Sequence, residues 1–419
     1  MINVIIAKPT RECNADCSYC SSPPEGAPRW TIETFKMIFD RLSDNLADTV
    51  EIIWHGGEPM MMGPDFYREA YTYAKSVKKN VRFAIQTNLL LYKSSIWKDV
   101  FSNIFKGAIS TSFEPDNHNR TIKGNADKYT NRFHKVIEEV IGDGFFPLVI
   151  STFSQQTIHY AQDMYELMKK HDNDSGSAGL DLRVNYVTPT GRYTDDGISP
   201  ENYGQALIDL YDQWVVEAPG FNVVPLSEMI ERTIGISNNK CPWTNKCGGR
   251  FLSIEPNGDL FNCSEFADIG DKSFSYGNVI KDKLYGTKKE VINGFERKPD
   301  KDRGYGVQIM ETPAARHHIR REHNLPADCR TCDHFKECEG GCHRDSVLLD
   351  KGMGGKFFMC RSWKMVFARI KDSIKSGEAE MLLKRYDISC EDAAKYVENN
   401  QNRDSLTYVQ NNSHIIGRW

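Results

Sequence analysis

Residues 13–20 read Cys-Asn-Ala-Asp-Cys-Ser-Tyr-Cys and follow closely on the short apolar run Asn3–Ala7. The thiols of Cys13, Cys17 and Cys20 therefore share one tight loop. Three thiolates can bind three irons of a four-iron, four-sulfur (4Fe–4S) cluster, which leaves the fourth iron without a protein ligand. Because an open iron can bind a small molecule, this spacing predicts a cluster that takes part in chemistry.

Two other kinds of site use similar cysteines. Cys17 and Cys20 are half of the paired pattern of a zinc site, which needs further ligands, and a disulfide framework needs an oxidising compartment. The N-terminus shows no basic segment followed by a long apolar run, so no signal peptide is predicted. Eleven of the 12 cysteines fall into cluster-like patterns. Together these features favour the cytoplasm, where thiols bind metals.

Length and charge restrict the class of protein. A chain of 419 residues, 40% apolar, suggests two or three domains with a sizeable core. The formal net charge of −4 predicts no strong attraction to nucleic acid or an anionic membrane. No apolar run approaches the length of a membrane span. Short basic stretches such as Arg316–Arg321 are predicted to be solvated surface.

Short β-rich runs alternate with amphipathic stretches in the first half of the chain. Such alternation implies a parallel sheet with right-handed crossovers. Six units are fewer than the eight of a closed barrel, so an α/β fold with a partial (β/α)6 TIM-like barrel is predicted. The predicted strands are Asn3–Ala7, Val50–Trp54, Val81–Gln86, Gly107–Ser112, Pro147–Phe153 and Asp181–Val187, and the predicted helices include Thr31–Ser43, Asp65–Lys78, Lys128–Gly142 and Thr157–His171.

Polar residues and glycines follow these strands, and in such barrels the chemistry lies at the carboxyl ends of the strands. The combination of the three-cysteine loop with Gly-Gly-Glu-Pro at residues 56–59 resembles the radical S-adenosylmethionine (SAM) superfamily. The resemblance implies that the open iron chelates SAM and that an electron cleaves it to a 5′-deoxyadenosyl radical, which abstracts a substrate hydrogen. The implied SAM-binding residues are Gly56, Gly57, Glu58 and Pro59 for the methionine amino group, Gln86, Asn88, Ser110 and Ser112 for ribose and methionine, Tyr19 for adenine and Arg120 for the methionine carboxylate. Asn185, at the end of the sixth predicted strand, is a further candidate for binding SAM.

These implied contacts have plain structural alternatives. Gly-Gly-Glu-Pro by itself also reads as an ordinary turn. The polar residues after the strands can cap strand ends, Tyr19 can pack in its loop, and Arg120 can be a surface arginine.

A second cysteine-rich region, residues 241–360, follows a predicted linker at 218–240. Its spacing resembles the SPASM extension of radical enzymes that mature peptides and proteins. The resemblance implies two fully ligated auxiliary 4Fe–4S clusters, and the spacing alone also allows a pair of zinc sites. The first implied set is Cys241, Cys247, Cys263 and Cys342, and the second is Cys329, Cys332, Cys338 and Cys360.

The remaining predictions concern the ends of the chain. Residues 1–217 are assigned to the partial barrel, and residues 361–419 to a helical extension with a polar tail, in which Cys390 is an ordinary thiol. The chain starts at its first strand, so no N-terminal leader-binding domain is expected. A peptide substrate would then be recognised by the barrel, by the C-terminal extension or by a separate leader-binding protein.

The cysteine spacing looks most like the sulfatase-maturing branch of the SPASM relatives, which places an aspartate base after the third cysteine of the first auxiliary cluster. Ser264 stands there in this chain, and a serine of ordinary pKa cannot act as that base. Glu265 and Asp268 are therefore the candidate proton acceptors.

The resemblance predicts a cytoplasmic radical SAM enzyme of oxidoreductase type that leaves a crosslinked or oxidised residue in a peptide or protein. It implies three 4Fe–4S clusters, SAM, and an electron donor such as flavodoxin or ferredoxin. Two alternatives stay open: a radical enzyme acting on a small metabolite such as a sugar or amino acid, and a non-radical Fe–S electron-transfer protein. The Gly-Gly-Glu-Pro motif argues against the latter, because an electron carrier needs no methionine-binding loop.

Overall fold

A computed structural model describes residues 1–401 except 24–25, 27, 117, 176–178, 194–196, 237–239, 245, 283–289, 293–294, 298–308, 311 and 349–351. One large sheet organises this part of the chain. Its strands are β1 (Ile2–Ala7), β2 (Leu46–Trp54), β3 (Asn80–Gln86), β4 (Ile109–Ser112), β5 (Leu148–Phe153), β6 (Leu182–Tyr186), β7 (Val223–Val224), β8 (Phe251–Ile254) and β9 (Leu260–Phe261). A separate antiparallel pair is formed by β10 (Glu290–Ile292) and β11 (Phe295–Arg297).

The helices surround this sheet. Those of the first part are α1 (Ile32–Leu42), α2 (Pro64–Val77), α3 (Ser94–Asn103), α4 (Ala126–Gly142), α5 (Ala161–Ser175), α6 (Pro200–Glu217) and α7 (Leu226–Thr233). Those of the second part are α8 (Ser264–Ile269), α9 (Pro313–His323), α10 (Ala327–Arg330), α11 (Phe335–Cys338), α12 (His343–Ser346), α13 (Cys360–Ser376), α14 (Glu380–Leu383) and α15 (Cys390–Gln401). None of them is long and apolar enough to cross a membrane.

The six predicted strands are confirmed as β1–β6, neighbours in chain order and all parallel. The four predicted helices are confirmed as α1, α2, α4 and α5. Local chemistry explains their starts: the Thr31 side chain caps α1 by accepting from the Thr34 amide, and Asn125 caps α4. Trp54 at the end of β2 is fully buried among aromatic rings of α1, α2 and β3, which anchors the sheet to its helices.

The sheet also continues past β1–β6 on both sides. Within the predicted linker, the described residues form β7, which pairs in parallel with β6, and the buried helix α7. On the other side, β8 pairs in parallel with β1, so the cysteine-rich region adds a strand to the barrel sheet. The two regions therefore share one sheet.

The described part of the C-terminal extension, residues 361–401, is largely helical. Helix α13 packs along α6, where the Tyr211 and Ser373 hydroxyls lie 2.5 Å apart and the Arg369 Nε donates to Asp212 at 2.7 Å. Cys390 is buried at the start of α15. The polar tail beyond residue 401 lies outside the described residues.

Candidate functional site

The three-cysteine loop leaves the carboxyl end of β1 and packs against the turn that follows β2. The amides of Gly57 and Glu58 donate to the carbonyls of Thr10 and Glu12 at 3.0 and 2.8 Å. A Cβ on Gly56, whose φ is +116°, would lie 2.4 Å from the Thr10 oxygen, and one on Gly57 would lie 2.2 Å from the Glu12 oxygen. The two glycines are required because the loops approach backbone to backbone.

Loops after β4 and β6 hold the same three-cysteine loop from other sides. The Asp16 and Ser18 amides donate to the backbone carbonyls of residues 121 and 119 at 2.8 and 2.9 Å. The amide of Arg192 donates to the Cys20 carbonyl at 3.0 Å. A Cβ on Gly191 would lie 2.3 Å from that carbonyl oxygen, which explains a glycine that has no motif in the sequence. Four strand ends thus position the thiols.

The three thiols lie close enough together for each to affect the pKa of the others. Burial, together with the nearby Glu58 carboxylate and the thiols of Cys17 and Cys20, raises the pKa of Cys13 to about 12. Burial also raises the pKa of Cys17 and Cys20. Thiols crowded in this way become thiolates most readily when they bind a cationic centre. The loop therefore fits the three-thiolate ligation of an iron–sulfur cluster.

Glu58 accepts three hydrogen bonds at the rim of the sheet. Its side chain is buried and accepts from the Met60 amide at 2.8 Å, from the Thr87 hydroxyl at 2.6 Å and from the Asn88 amide at 2.8 Å. Burial raises the pKa of Glu58 to about 7 against these donors. The Pro59 carbonyl accepts from a tyrosine of α2 at 2.6 Å. These bonds tie the ends of β2 and β3 together, and the expected contact of residues 56–59 with a methionine amino group stays a prediction.

The polar residues expected after β3 and β4 come together. Gln86 donates to the Ser112 hydroxyl at 2.9 Å and accepts from the Ser110 hydroxyl. The Asn88 amide group donates to Asn14 at 2.7 Å and lies 3.8 Å from the Cys13 sulfur. Asn185, in β6, is at the same edge, in register with Thr152 of β5. The predicted SAM contacts thus share one rim with the three-cysteine loop, although their binding role stays a prediction.

Glu114, a residue that the sequence analysis missed, organises Tyr19 and Arg120. The Arg120 guanidinium donates to the Glu114 carboxylate at 2.5 and 3.0 Å and reaches within 3.9 Å of the Cys17 sulfur. The Tyr19 hydroxyl donates to the same carboxylate at 2.7 Å, and its ring centre is 5.4 Å from the guanidinium carbon. Glu114 comes two residues after the end of β4, and that position near a strand end was the only signal available.

Asp268, one of the two predicted proton acceptors, belongs to a buried ion-pair group. Its carboxylate lies 2.9 Å from the ammonium of Lys8, which follows β1, and accepts from the Ser21 hydroxyl at 3.2 Å. Glu255 is 2.9 Å from the same ammonium. Burial lowers the pKa of Lys8, but the Asp268 and Glu255 carboxylates outweigh it and raise the pKa overall. This group joins the cysteine-rich region to the rim of the barrel.

Glu265, the other predicted acceptor, lies beside the first auxiliary set. Its carboxylate pairs with Arg344 at 3.0 Å and is 43% exposed. Arg344 also pairs at 2.9 Å with Asp345, which accepts from the Tyr186 hydroxyl at the end of β6. Glu265 is therefore reachable from solvent, whereas Asp268 is 3% exposed.

The eight C-terminal cysteines lie in two groups with the members that the resemblance implies, although their role as cluster ligands stays a prediction. In the first set, burial and the thiols of Cys263 and Cys241 raise the pKa of Cys247, and burial, the Asp345 carboxylate and the same two thiols raise that of Cys342. Burial raises the pKa of Cys241 to about 11 and that of Cys263 to about 12. In the second set, all four thiols line one cavity, walled by Phe335, Phe357, Trp363 and Phe367. Each set offers four thiols to one space, which fits a 4Fe–4S cluster.

Two histidines accompany the first set, which the sequence analysis did not anticipate. The Cys247 sulfur lies 3.2 Å from Nδ1 of His343, and that nitrogen lies 3.4 Å from Nδ1 of His318. Ligand atoms of these three residues lie within 4.8 Å of one another, a spacing that also suits a single metal ion. Iron and zinc analysis of the reconstituted protein distinguishes a cluster from a single zinc ion at this set.

The prediction that Arg316–Arg321 is solvated surface is wrong for part of the stretch. His318 is 0% exposed and Arg321 is 2% exposed. Both belong to the inner face of α9, three residues apart, whereas Arg316 and Arg320 are exposed.

Comparisons with known proteins agree with this geometry. Residues 7–168 match the Radical SAM superfamily. A serine-type anaerobic sulfatase-maturating enzyme of Bacteroides thetaiotaomicron is 23% identical over 414 residues, covering 88% of this chain and 89% of that enzyme. The structure of native anSMEcpe with bound AdoMet and Kp18Cys peptide has a TM-score of 0.71 at 16% identity and covers 92% of this chain and 100% of that one. Streptococcus suis SuiB bound to precursor peptide SuiA has a TM-score of 0.55 at 15% identity, with 86% and 76% covered.

At these identities the solved structures establish the fold. The match begins at the end of β1, includes the three-cysteine loop and the Gly-Gly-Glu-Pro turn, and ends within α5. The chain therefore contains a radical SAM domain, set in the α/β fold seen in anSMEcpe.

Proposed function

We propose that this protein is a radical SAM enzyme that modifies a side chain of a peptide or protein, leaving a crosslinked or oxidised residue. Cys13, Cys17 and Cys20 would hold the reactive 4Fe–4S cluster, and the two C-terminal cysteine sets would hold one auxiliary cluster each. When bound, the reactive cluster supplies the electron that cleaves SAM and so produces the hydrogen-abstracting radical.

The observation that carries this proposal is the packing of the three-cysteine loop against residues 56–58 at the rim of the sheet. Gly56 and Gly57 leave no room for side chains between the two loops, and the Glu58 carboxylate fixes the next strand end, at Asn88. A cluster held there would face the ring of polar side chains formed by Gln86, Ser110 and Ser112. These residues would orient SAM by hydrogen bonds to its ribose and methionine groups.

A peptide is the proposed substrate class because of the relatives that share the whole fold. The anSMEcpe and SuiB structures with peptides bound cover 92% and 86% of this chain. Any such modification also removes a proton from the substrate. Glu265 is the proposed acceptor in preference to Asp268, because its carboxylate is partly exposed, whereas that of Asp268 is buried against Lys8 and Ser21.

The test is anaerobic incubation of the reconstituted protein with SAM, a reductant and peptides encoded near its gene, followed by mass spectrometry. We expect a mass change in one peptide, together with 5′-deoxyadenosine, and neither product from a variant with Cys13, Cys17 and Cys20 changed to alanine. Substrate turnover with a sugar or amino acid, and with no peptide, would overturn the proposed substrate class.

The acceptor is tested in the same assay with a matched pair of variants. Glu265→Gln should reduce peptide product more than 5′-deoxyadenosine, because proton removal follows hydrogen abstraction. Asp268→Asn should have the smaller effect on that ratio. An unchanged ratio in Glu265→Gln would assign the proton to another group.

A further inference from the structure

The buried arginine of α9 has an unusual environment. The Nη2 atom of Arg321 donates to the Gly340 carbonyl at 3.2 Å and to the Ser346 hydroxyl at 3.0 Å. These acceptors flank Cys342 in sequence. The other two nitrogens, Nε and Nη1, are buried and make no hydrogen bond within the described part of the chain.

The charge of Arg321 is also not neutralised by a carboxylate, since none of the ion pairs found among the described residues includes it. The acidic groups that act on it are thiols from both auxiliary sets. They are Cys329 and Cys338 of the second set and Cys342 and Cys247 of the first. Burial lowers the pKa of Arg321, and these four thiols oppose that effect.

A guanidinium does not lose its proton in a protein. Burying it without a counter-charge strongly destabilises the folded chain. Neutral thiols would leave that destabilisation uncompensated, whereas thiolates would remove it. Four thiolates around a 4Fe–4S core outweigh the positive charge of the core, so two such clusters would each place net negative charge near Arg321.

We propose that Arg321 is a counter-charge shared by the two auxiliary clusters and that it raises the reduction potential of both. This inference rests on the proposed function, because it requires those clusters. Reduction adds negative charge to a cluster, so a fixed cation close to it stabilises the reduced form. Since residues around a cluster tune its potential, one side chain near both clusters links their potentials.

The test uses the full chain carrying Cys13→Ala, Cys17→Ala and Cys20→Ala, so that only the auxiliary clusters contribute to the spectrum. In this background Arg321→Met, which keeps much of the length but not the charge, is compared with Arg321→Lys. Arg320→Gln, which removes the same charge from an exposed position of the same helix, is the control. Potentials are measured by redox titration followed by electron paramagnetic resonance, with iron analysis of each protein.

We expect both auxiliary potentials to become more negative in Arg321→Met, to stay near the parent values in Arg321→Lys, and not to change in Arg320→Gln. If Arg321→Met fails to hold its clusters, loss of iron from both sets with retention in Arg321→Lys also supports a shared counter-charge. A shift or loss confined to one cluster, or no shift at all, would overturn the proposal. A parent protein without auxiliary clusters would instead refute the cofactor part of the proposed function, and the inference with it.

Discussion

The three-cysteine loop and the two C-terminal cysteine sets bring their thiols together in opposite ways. The thiols of the first site come from eight consecutive residues, 13–20, on a loop held by backbone hydrogen bonds and close glycine contacts. The thiols of the other sites come from residues up to about a hundred positions apart, Cys241 to Cys342, and the two sets interleave in the chain. A local loop on a finished sheet can form before its metal arrives, whereas a site collected from distant segments depends on the metal for its shape.

The largest expected effect is a loss of activity when the thiols of the three-cysteine loop are removed and the C-terminal sets are kept. Changing Cys13, Cys17 and Cys20 to alanine should abolish 5′-deoxyadenosine formation, because no other predicted site leaves an open iron. About eight irons per chain should remain, from two 4Fe–4S clusters. Undiminished 5′-deoxyadenosine from this variant would show that the reactive site is elsewhere.

Removal of the metal should destabilise residues 241–360 more than the strands of the barrel. Wild-type protein reconstituted with iron should approach about twelve irons per chain with little zinc. After anaerobic chelation, hydrogen exchange should speed up strongly in residues 241–360 and much less in β2–β5, because metal binding and folding are coupled in residues 241–360. An equal increase of exchange in both regions would show that residues 241–360 do not depend on metal more than the barrel strands do. Stoichiometric zinc with only one cluster's worth of iron would identify the C-terminal sets as zinc sites.

The barrel and the cysteine-rich region are not fully independent in stability, because Lys8 of the barrel pairs with Asp268 and Glu255 of the cysteine-rich region. Lys8→Met leaves the buried Asp268 carboxylate without its cation and leaves Glu255 paired with Arg11. This should lower the free energy of unfolding by about 3 kcal/mol, the lower end of the range for a broken buried pair. Thermal unfolding of the anaerobic holoprotein measures this loss. Lys395→Met, which removes an exposed ion pair with Glu391, should change the unfolding temperature little. Similar temperatures for both variants would show that the ion-pair group does not stabilise the junction.

The smallest expected effect is a dependence of stability on pH, caused by His55 close to Lys8. Burial and the neighbouring Lys8 lower the pKa of His55 to about 4, whereas an unfolded histidine has a pKa of about 6.5. Between these values the unfolded chain binds more protons, so stability should fall as the pH drops below 6.5. The loss by pH 5.5 is about 1 kcal/mol at most. The unfolding temperature of His55→Asn should fall less over this range than that of the wild type, and equal falls would refute the shift.

Local patterns were enough to predict strands β1–β6 and helices α1, α2, α4 and α5, and the structure confirms them, because their periodicity is a property of short segments. The two C-terminal cysteine sets were predicted from a family resemblance. The clustering of Gln86, Ser110 and Ser112 followed from one rule, that parallel strands bring their carboxyl ends to one edge.

Long-range pairs could not be predicted in this way. Nothing near β1 indicates that β8 will pair with it, or that Lys8 will meet Asp268. Arg321 shows the same limit in its chemistry. Arginine is normally exposed, and only the four surrounding thiols make its burial understandable.

The parallel pairing of β1 with β8 has a consequence for synthesis on the ribosome. Residues 4–7 hydrogen-bond on one side to β2 and on the other to residues 251–254. At about 5–20 residues per second, the second partner leaves the ribosome roughly 12–50 s after β1. During that interval β1 is an edge strand rich in isoleucine and valine, of the kind that pairs with other chains. Expression conditions that slow translation should therefore increase aggregation of nascent chains shorter than about 250 residues.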